Sequence, residues 1–270
     1  MKATFRALTT VVAVEIDDDL TVADLARAVI IAHPACDDTP ELRYELRAGS
    51  PAMMRRNGVP DHPVDHVDDL VPVFELDLYY ELARRAAPGW LLHAAALARG
   101  DRAYVFAGPS GAGKTSLMLA LVARGWQLIT EEMVLIDHDG LVHGLARPIH
   151  TASSGSQREA LPNNWQLTPY PVRNYGETTV NIIAQPPRSI RETRPLPLGA
   201  LVRIAHGHHV VEELATPTPH AALPALWDCT LRRNQATVSI AASLLSRFPT
   251  RHLTSRSVVR AALLCEAELP

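Results

Sequence analysis

The chain has 270 residues, 47% of them hydrophobic, and a formal net charge of −3, enough apolar material for one large domain or a core domain with a smaller companion. Its charged residues are scattered without the basic stripe that a nucleic-acid backbone needs, which argues against nucleic acid as a partner. No run of about eighteen apolar residues and no signal-like amino terminus occurs, so the expectation is a cytoplasmic protein with no membrane partner. Cys36, Cys229 and Cys265 are too scattered for metal-ligand spacing and read as small buried apolar residues.

The β-branched stretch Thr4 to Ile16 reads as strand, and Leu25, Ala28, Val29 and Ala32 recur at helical spacing within Leu20 to Ala32. Between Pro34 and Pro72 turns dominate, interrupted by Leu42, Tyr44 and Leu46 alternating as a half-buried strand does. Residues 1–73 are therefore expected to form a small α/β subdomain, with residues 74–270 as the main domain. Phe74, Leu78 and Leu82 predict a helix from Phe74 to Ala87, stopped by Pro88-Gly89. Trp90 to Ala98 and Ala103 to Ala107 follow as a strand pair around Arg99-Gly100-Asp101-Arg102. A helix from Ser116 to Arg124 ends at Gly125, in the position of a left-handed cap, and Trp126 to Ile129 and Met133 to Ile136 are strands on either side of Glu131-Glu132. Thr151 to Tyr175 and Gln185 to Pro197, polar and proline-containing, read as exposed loops. Leu198 to Ile204, a turn at His206-Gly207-His208 and Val210 to Leu214 read as a hairpin. Helices are expected around Ala221 to Asp228, Ala236 to Phe248 and Val258 to Glu266.

The most specific signal is Gly108-Pro109-Ser110-Gly111-Ala112-Gly113-Lys114-Thr115. It is glycine, four variable residues, Gly-Lys and a hydroxyl residue, placed after an apolar strand and before an amphipathic helix that opens at Ser116. Glycines let backbone N–H groups curl around phosphate oxygens without Cβ obstruction, and the helix amino terminus adds partial positive charge. Lys114 supplies a cation for the β and γ phosphates, and the Thr115 hydroxyl is a ligand for Mg2+.

A magnesium nucleotide site also needs a carboxylate on a neighbouring strand, and Glu131 and Glu132 occupy that region. Consecutive strand residues face opposite ways, so both serve the site only if the strand breaks between them. His93 precedes an alanine-rich strand just upstream of the loop. Arg147, in Ala146-Arg147-Pro148-Ile149, is a further candidate for phosphate contact, set against the commoner case of an exposed arginine in such a turn.

Taken in order, Leu91-Leu92-His93-Ala94, the loop Gly108 to Thr115, Arg124-Gly125-Trp126 and Glu131-Glu132 before an apolar strand resemble the catalytic domain of HPr kinase/phosphorylase and its shorter bacterial relatives. The resemblance runs from about Trp90 to Ile149 and weakly through Pro197-Leu198-Gly199-Ala200-Leu201-Val202. It implies an α/β fold with a P-loop kinase core of the HPr kinase type. It further implies a catalytic set of His93, Lys114, Glu131 and Glu132, with Glu131 as the base and Glu132 on magnesium. The chain departs from the family in carrying glutamate where aspartate is usual, which lengthens that arm by a methylene. No counterpart of the segment by which the full enzyme docks HPr is visible.

The expected function is an ATP-dependent kinase acting on a hydroxyl, serine foremost, of a peptide, protein or small molecule. A non-catalytic nucleotide-binding regulator is the alternative. ATP and Mg2+ are the expected cofactors, and homo-oligomer formation is left open.

Overall fold

The structure, a computed structural model, describes residues 1–17, 20–30, 33–59, 62–174, 177–205 and 213–269. The first part of the chain forms β1 (Lys2–Ala7), β2 (Thr10–Ile16), α1 (Leu20–Ile30), β3 (Leu42–Arg47), β4 (Ala52–Arg56), β5 (His62–Val64) and α2 (Leu70–Arg85). The middle forms β6 (Gly89–Arg99), β7 (Arg102–Ala107), α3 (Lys114–Val122), β8 (Gln127–Thr130), β9 (Met133–Asp137) and β10 (Leu141–Gly144). Then come β11 (Ile149–Ala152), the single-turn α4 (Ser156–Glu159), β12 (Gln166–Asn174) and β13 (Glu177–Gln185). The chain ends with β14 (Leu196–Ala205), β15 (Glu213–Ala215), α5 (Pro219–Trp227), α6 (Gln235–Arg247), β16 (Thr250–Thr254) and α7 (Val258–Glu268). The fold is mixed α/β with several sheets, and no described helix is long and apolar enough to cross a membrane.

Contacts divide the chain into two compact units, Met1–Ala86 with Ala146–Pro187, and Ala87–Leu145 with Arg188–Pro270. In the second unit an eight-stranded sheet runs in the order β10-β9-β6-β7-β14-β16-β15, with β8 also paired to β6. β6 and β7 form the expected antiparallel pair, Ala94 opposite Ala107 through Arg99 opposite Arg102. β7, β14 and β16 are mutually parallel neighbours. One face carries Trp90, Leu92, Val105 and Leu201 against Leu226 of α5 and Leu244 of α6, all fully buried. Burial of such side chains contributes on the order of 1.5–3 kcal/mol each and fixes which face of each strand looks inward.

The hairpin expected from Leu198 to Leu214 does not form. β15 pairs antiparallel with β16, and β16 stands between it and β14. A parallel insertion from fifty residues downstream leaves no local sequence signal, because parallel partners are joined by crossovers and not by turns. The expected turn at His206-Gly207-His208 and the start of Val210 to Leu214 lie outside the described residues.

In the first unit a five-stranded sheet runs β1-β2-β3-β4-β5. The stretch Thr4 to Ile16, read as one strand, is folded back on itself at Leu8, whose φ is 52°. Leu42, Tyr44 and Leu46 alternate inward as expected. The expected loop from Thr151 to Tyr175 is instead partly sheet: its ends, in β11 and β12, flank β13 in the order β11-β13-β12, with α4 and irregular chain between. Pro169 and Pro171 disguise β12: it is an edge strand, and alternate residues there need no N–H partner.

The sequence boundary at residue 73 also shifts, since α2 and residues 146–187 belong with the amino-terminal part. A buried carboxylate explains this. Glu75 of α2 faces Arg147 Nε at 3.2 Å and His150 Nε2 at 3.0 Å. It also accepts hydrogen bonds from the hydroxyls of Tyr79 at 2.5 Å and Tyr170 at 2.9 Å. Arg147 is thereby fully engaged inside the first unit, over the Tyr79 ring.

Burial alone would raise the Glu75 pKa, but the His150 hydrogen bond, the Arg147 charge and the Tyr79 hydroxyl outweigh it and hold the carboxyl at about 2. A depressed carboxylate stabilises the fold above its unfolded value, near 4.5, and that contribution is lost as pH falls toward 2. Glu75→Ala strands Arg147 and His150 and is expected to destabilise the first unit by about 3–5 kcal/mol at neutral pH. Urea melts at pH 7 and pH 3 check both: the mutant's deficit should shrink at the lower pH, and an undiminished deficit would contradict the charge-based account.

Candidate functional site

The loop begins where β7 parts from β6. β7 stops pairing at Ala107, and the 229–231 segment takes its place beside the other half of β6: His93 N donates to Cys229 O at 2.7 Å, Leu92 bridges Thr230, and Leu231 N donates to Leu91 O at 2.9 Å. Gly108 leaves the sheet through a gap with no room for a side chain, since a Cβ there would lie 2.8 Å from Ile204 O and 3.2 Å from the Ala112 Cβ. The chain then turns through Pro109, Ser110, Gly111, Ala112 and Gly113. The Ala112 N–H closes on Pro109 O at 3.1 Å, and Gly111 and Gly113 take the left-handed φ values of 78° and 85°. Only glycine adopts these without strain. Gly113 caps α3, which starts at Lys114, two residues earlier than expected from sequence; Thr115 and Ser116 form its first turn with their N–H groups pointing into the loop.

Lys114 folds back beneath the loop, its Nζ donating to Gly108 O at 2.8 Å and Pro109 O at 3.1 Å. It is 8% exposed. Burial pushes its ammonium pKa down, opposed by Cys229, Glu132 and Glu131. A lysine ammonium held by two loop carbonyls at the amino-terminal turn of a helix is an arrangement suited to an anion.

Glu131 and Glu132 fall at a true strand break. β8 and β9 run along the same edge of β6, Thr130 opposite Ala96 and Met133 opposite His93. Between them the Thr130 hydroxyl accepts from Glu132 N at 3.3 Å and Ala94 N donates to Glu132 O at 3.0 Å. The two carboxylates diverge. Glu132 Oε1 lies 3.5 Å from His93 Nδ1, with both side chains about a third exposed. Glu131 is buried and acts on Arg191, whose guanidinium burial pushes down to about 10 while Glu131 opposes the shift.

His93, Glu132, Lys114 and the loop are thus brought together in one unit. Arg147 lies in the other unit, paired with Glu75. Arg191 and Cys229 were missed by sequence reasoning. Arg191 sits in a Pro- and Arg-rich stretch read as exposed loop, yet it bridges Leu128. Cys229 is buried as expected, but it also meets the loop: the Gly108 N–H points at its sulfur, and burial raises its thiol pKa against the pull of Lys114. Cys265 is buried too, whereas Cys36 is partly exposed.

Among the described residues no three His, Cys, Asp or Glu converge as a metal cage. A magnesium ion bound with a nucleotide takes one or two protein oxygens and fills the rest of its shell with phosphate and water. Thr115, in the first turn of α3, and Glu132 fit as such donors.

No protein-family model matches the chain, and no curated protein matches it. Among solved structures the chain is similar to the Hpr(Ser) kinase/phosphatase from Coxiella burnetii. The similarity is 13% in sequence with a TM-score of 0.35, over 66% of this chain and 94% of that one. A likeness that distant carries no chemistry, and the site rests on its own residues.

Gly108→Ala is expected to lower stability by about 1–3 kcal/mol, because the methyl meets backbone of β14 that cannot yield. Gly111→Ala, with open space around the added methyl, carries only the left-handed penalty of about 1–2 kcal/mol. Denaturant unfolding of the two proteins checks this, and a Gly108→Ala protein as stable as the parent would contradict the close passage between β7 and β14.

Proposed function

We propose that the chain is an ATP-dependent kinase that transfers the γ-phosphoryl group to a hydroxyl, serine foremost, of a peptide, protein or small molecule. The observation that carries this reading is the placement of the His93–Glu132 pair on the strand break beside a complete glycine loop with Lys114 beneath it. The loop N–H groups from Gly111 to Ser116 would hold phosphate oxygens, and Lys114 would neutralise charge that grows on them during transfer. Magnesium, when bound, would supply a Lewis acid that withdraws charge from the phosphates. Thr115 and Glu132 would hold it.

The acceptor hydroxyl must lose a proton to a group that it can reach. Glu131, the base that the family resemblance implies, is buried and acts on Arg191. His93 is better suited. Its Nδ1 faces Glu132, which would orient the ring so that Nε2 takes the proton. Glu131 then serves by fixing Arg191 and, through it, the break that presents Glu132.

Incubation of the protein with magnesium, γ-labelled ATP and an array of serine-containing peptides, with free serine alongside, tests the reading. Label should appear on serine oxygen, and Lys114→Ala should reduce it by about a hundredfold or more while the protein stays folded. ATP bound but never consumed would instead favour a nucleotide-binding regulator, and phosphate released without acceptor would favour a hydrolase.

The two glutamates should separate. Glu132→Gln is expected to cut transfer by about a hundredfold and raise the magnesium concentration needed for half activity. Glu131→Gln is expected mainly to lower thermal stability. Should Glu131→Gln abolish transfer in a protein as stable as the parent, the base is Glu131 and His93 only assists.

A further inference from the structure

Arg203 stands one strand over from the phosphate loop. On β14 it is the register partner of Ala107, the last residue of β7. The next carbonyl along β14, that of Ile204, is the atom that a Cβ on Gly108 would strike. Because β7 and β14 are parallel, Arg203 lies at the carboxyl end of both strands, where parallel sheets gather their ligands. Its side chain turns toward α5, with Nε donating to Ala225 O at 3.2 Å and Nη1 2.9 Å from His252 Nε2. Ala225 is one helical turn before Cys229, whose thiol meets the Gly108 N–H and feels the charges of both Lys114 and Arg203.

Both partners of Arg203 are neutral acceptors. Burial, with the Arg203 charge second, pushes the His252 imidazole below its usual value against the pull of Glu213, so at neutral pH it is an uncharged ring accepting an N–H. No carboxylate stands within ion-pair distance of Arg203 among the described residues. Three other part-buried arginines are met by carboxylates: Arg56 by Asp77 and Glu81, Arg124 by Glu266, and Arg147 by Glu75. A guanidinium never loses its charge. Arg203 is therefore a permanent cation, fixed in orientation by two neutral groups, near a second cation and beside a loop whose N–H groups seek an anion. Its remaining N–H donors are arranged before any ligand arrives, which is how a fixed anion clamp works.

We propose that Arg203 is a second phosphate-binding cation of this site, gripping nucleotide phosphate oxygens from the β14 side while Lys114 holds them from beneath the loop. The proposal rests on the nucleotide reading given above. It assigns His252 the task of positioning Arg203, without contact to the nucleotide.

Equilibrium binding of magnesium ATP and of inorganic tripolyphosphate is measured for the parent, Arg203→Gln and Arg203→Lys, with thermal melts to verify folding. Arg203→Gln should bind both anions about tenfold more weakly. Arg203→Lys keeps the charge but loses the planar contacts to Ala225 and His252, and should recover most of that loss. A purely structural arginine would leave Lys and Gln equally impaired, and that result overturns the proposal. So does parental affinity in a folded Arg203→Gln protein, which leaves the nucleotide reading standing. If the parent itself binds neither anion, the nucleotide reading and this proposal fall together.

Discussion

The passage of Gly108 past the Ile204 carbonyl is the constraint on which the second unit depends. A side chain there would push β7 and β14 apart, and their parallel pairing is what aims the loop at the start of α3. Because β7 ends at that point, the far half of β6 needs a new partner, and the 229–231 segment supplies it. That replacement sets His93 opposite Cys229 and brings Cys229 under Gly108. The loop, the histidine and the strand break that presents Glu132 are thus consequences of one departure of chain from sheet.

The two units differ in how the charges at their centres of interest are met. In the first, Glu75 is met by Arg147, His150 and two tyrosine hydroxyls, so its charge is satisfied within the fold and works as a staple. In the second, Lys114 is held by carbonyls and Arg203 by a carbonyl and a neutral imidazole. A buried cation held mainly by neutral acceptors keeps charge with which an anion can pair. The first cluster contributes stability; the second is the one proposed to bind phosphate.

What could be read in the sequence was what local chemistry dictates. The turn from Gly108 into α3 was legible because its left-handed positions demand glycine, and the β6–β7 pair because Gly100 marks a tight turn between apolar runs. The helices α5, α6 and α7 followed from spacing. What stayed hidden was set by distant partners. β12 was concealed by Pro169 and Pro171, which an edge strand tolerates. β16 slips between β14 and β15 without a turn to announce it. Arg191, Arg203 and Cys229 gave no local sign, since each matters only through the strand or loop folded against it. The divergence of Glu131 and Glu132 was half legible: alternation said that they would point apart, but only the fold showed which one meets His93.

The most direct test of the central claim is a crystal structure of the protein grown with magnesium and a non-hydrolysable ATP analogue. The account predicts the triphosphate seated on the N–H groups from Gly111 to Ser116, with Lys114 Nζ within hydrogen-bond distance of a phosphate oxygen and His93 and Glu132 on the γ-phosphate side. An analogue bound elsewhere in the molecule, or a γ phosphate turned away from His93 and Glu132, would contradict it.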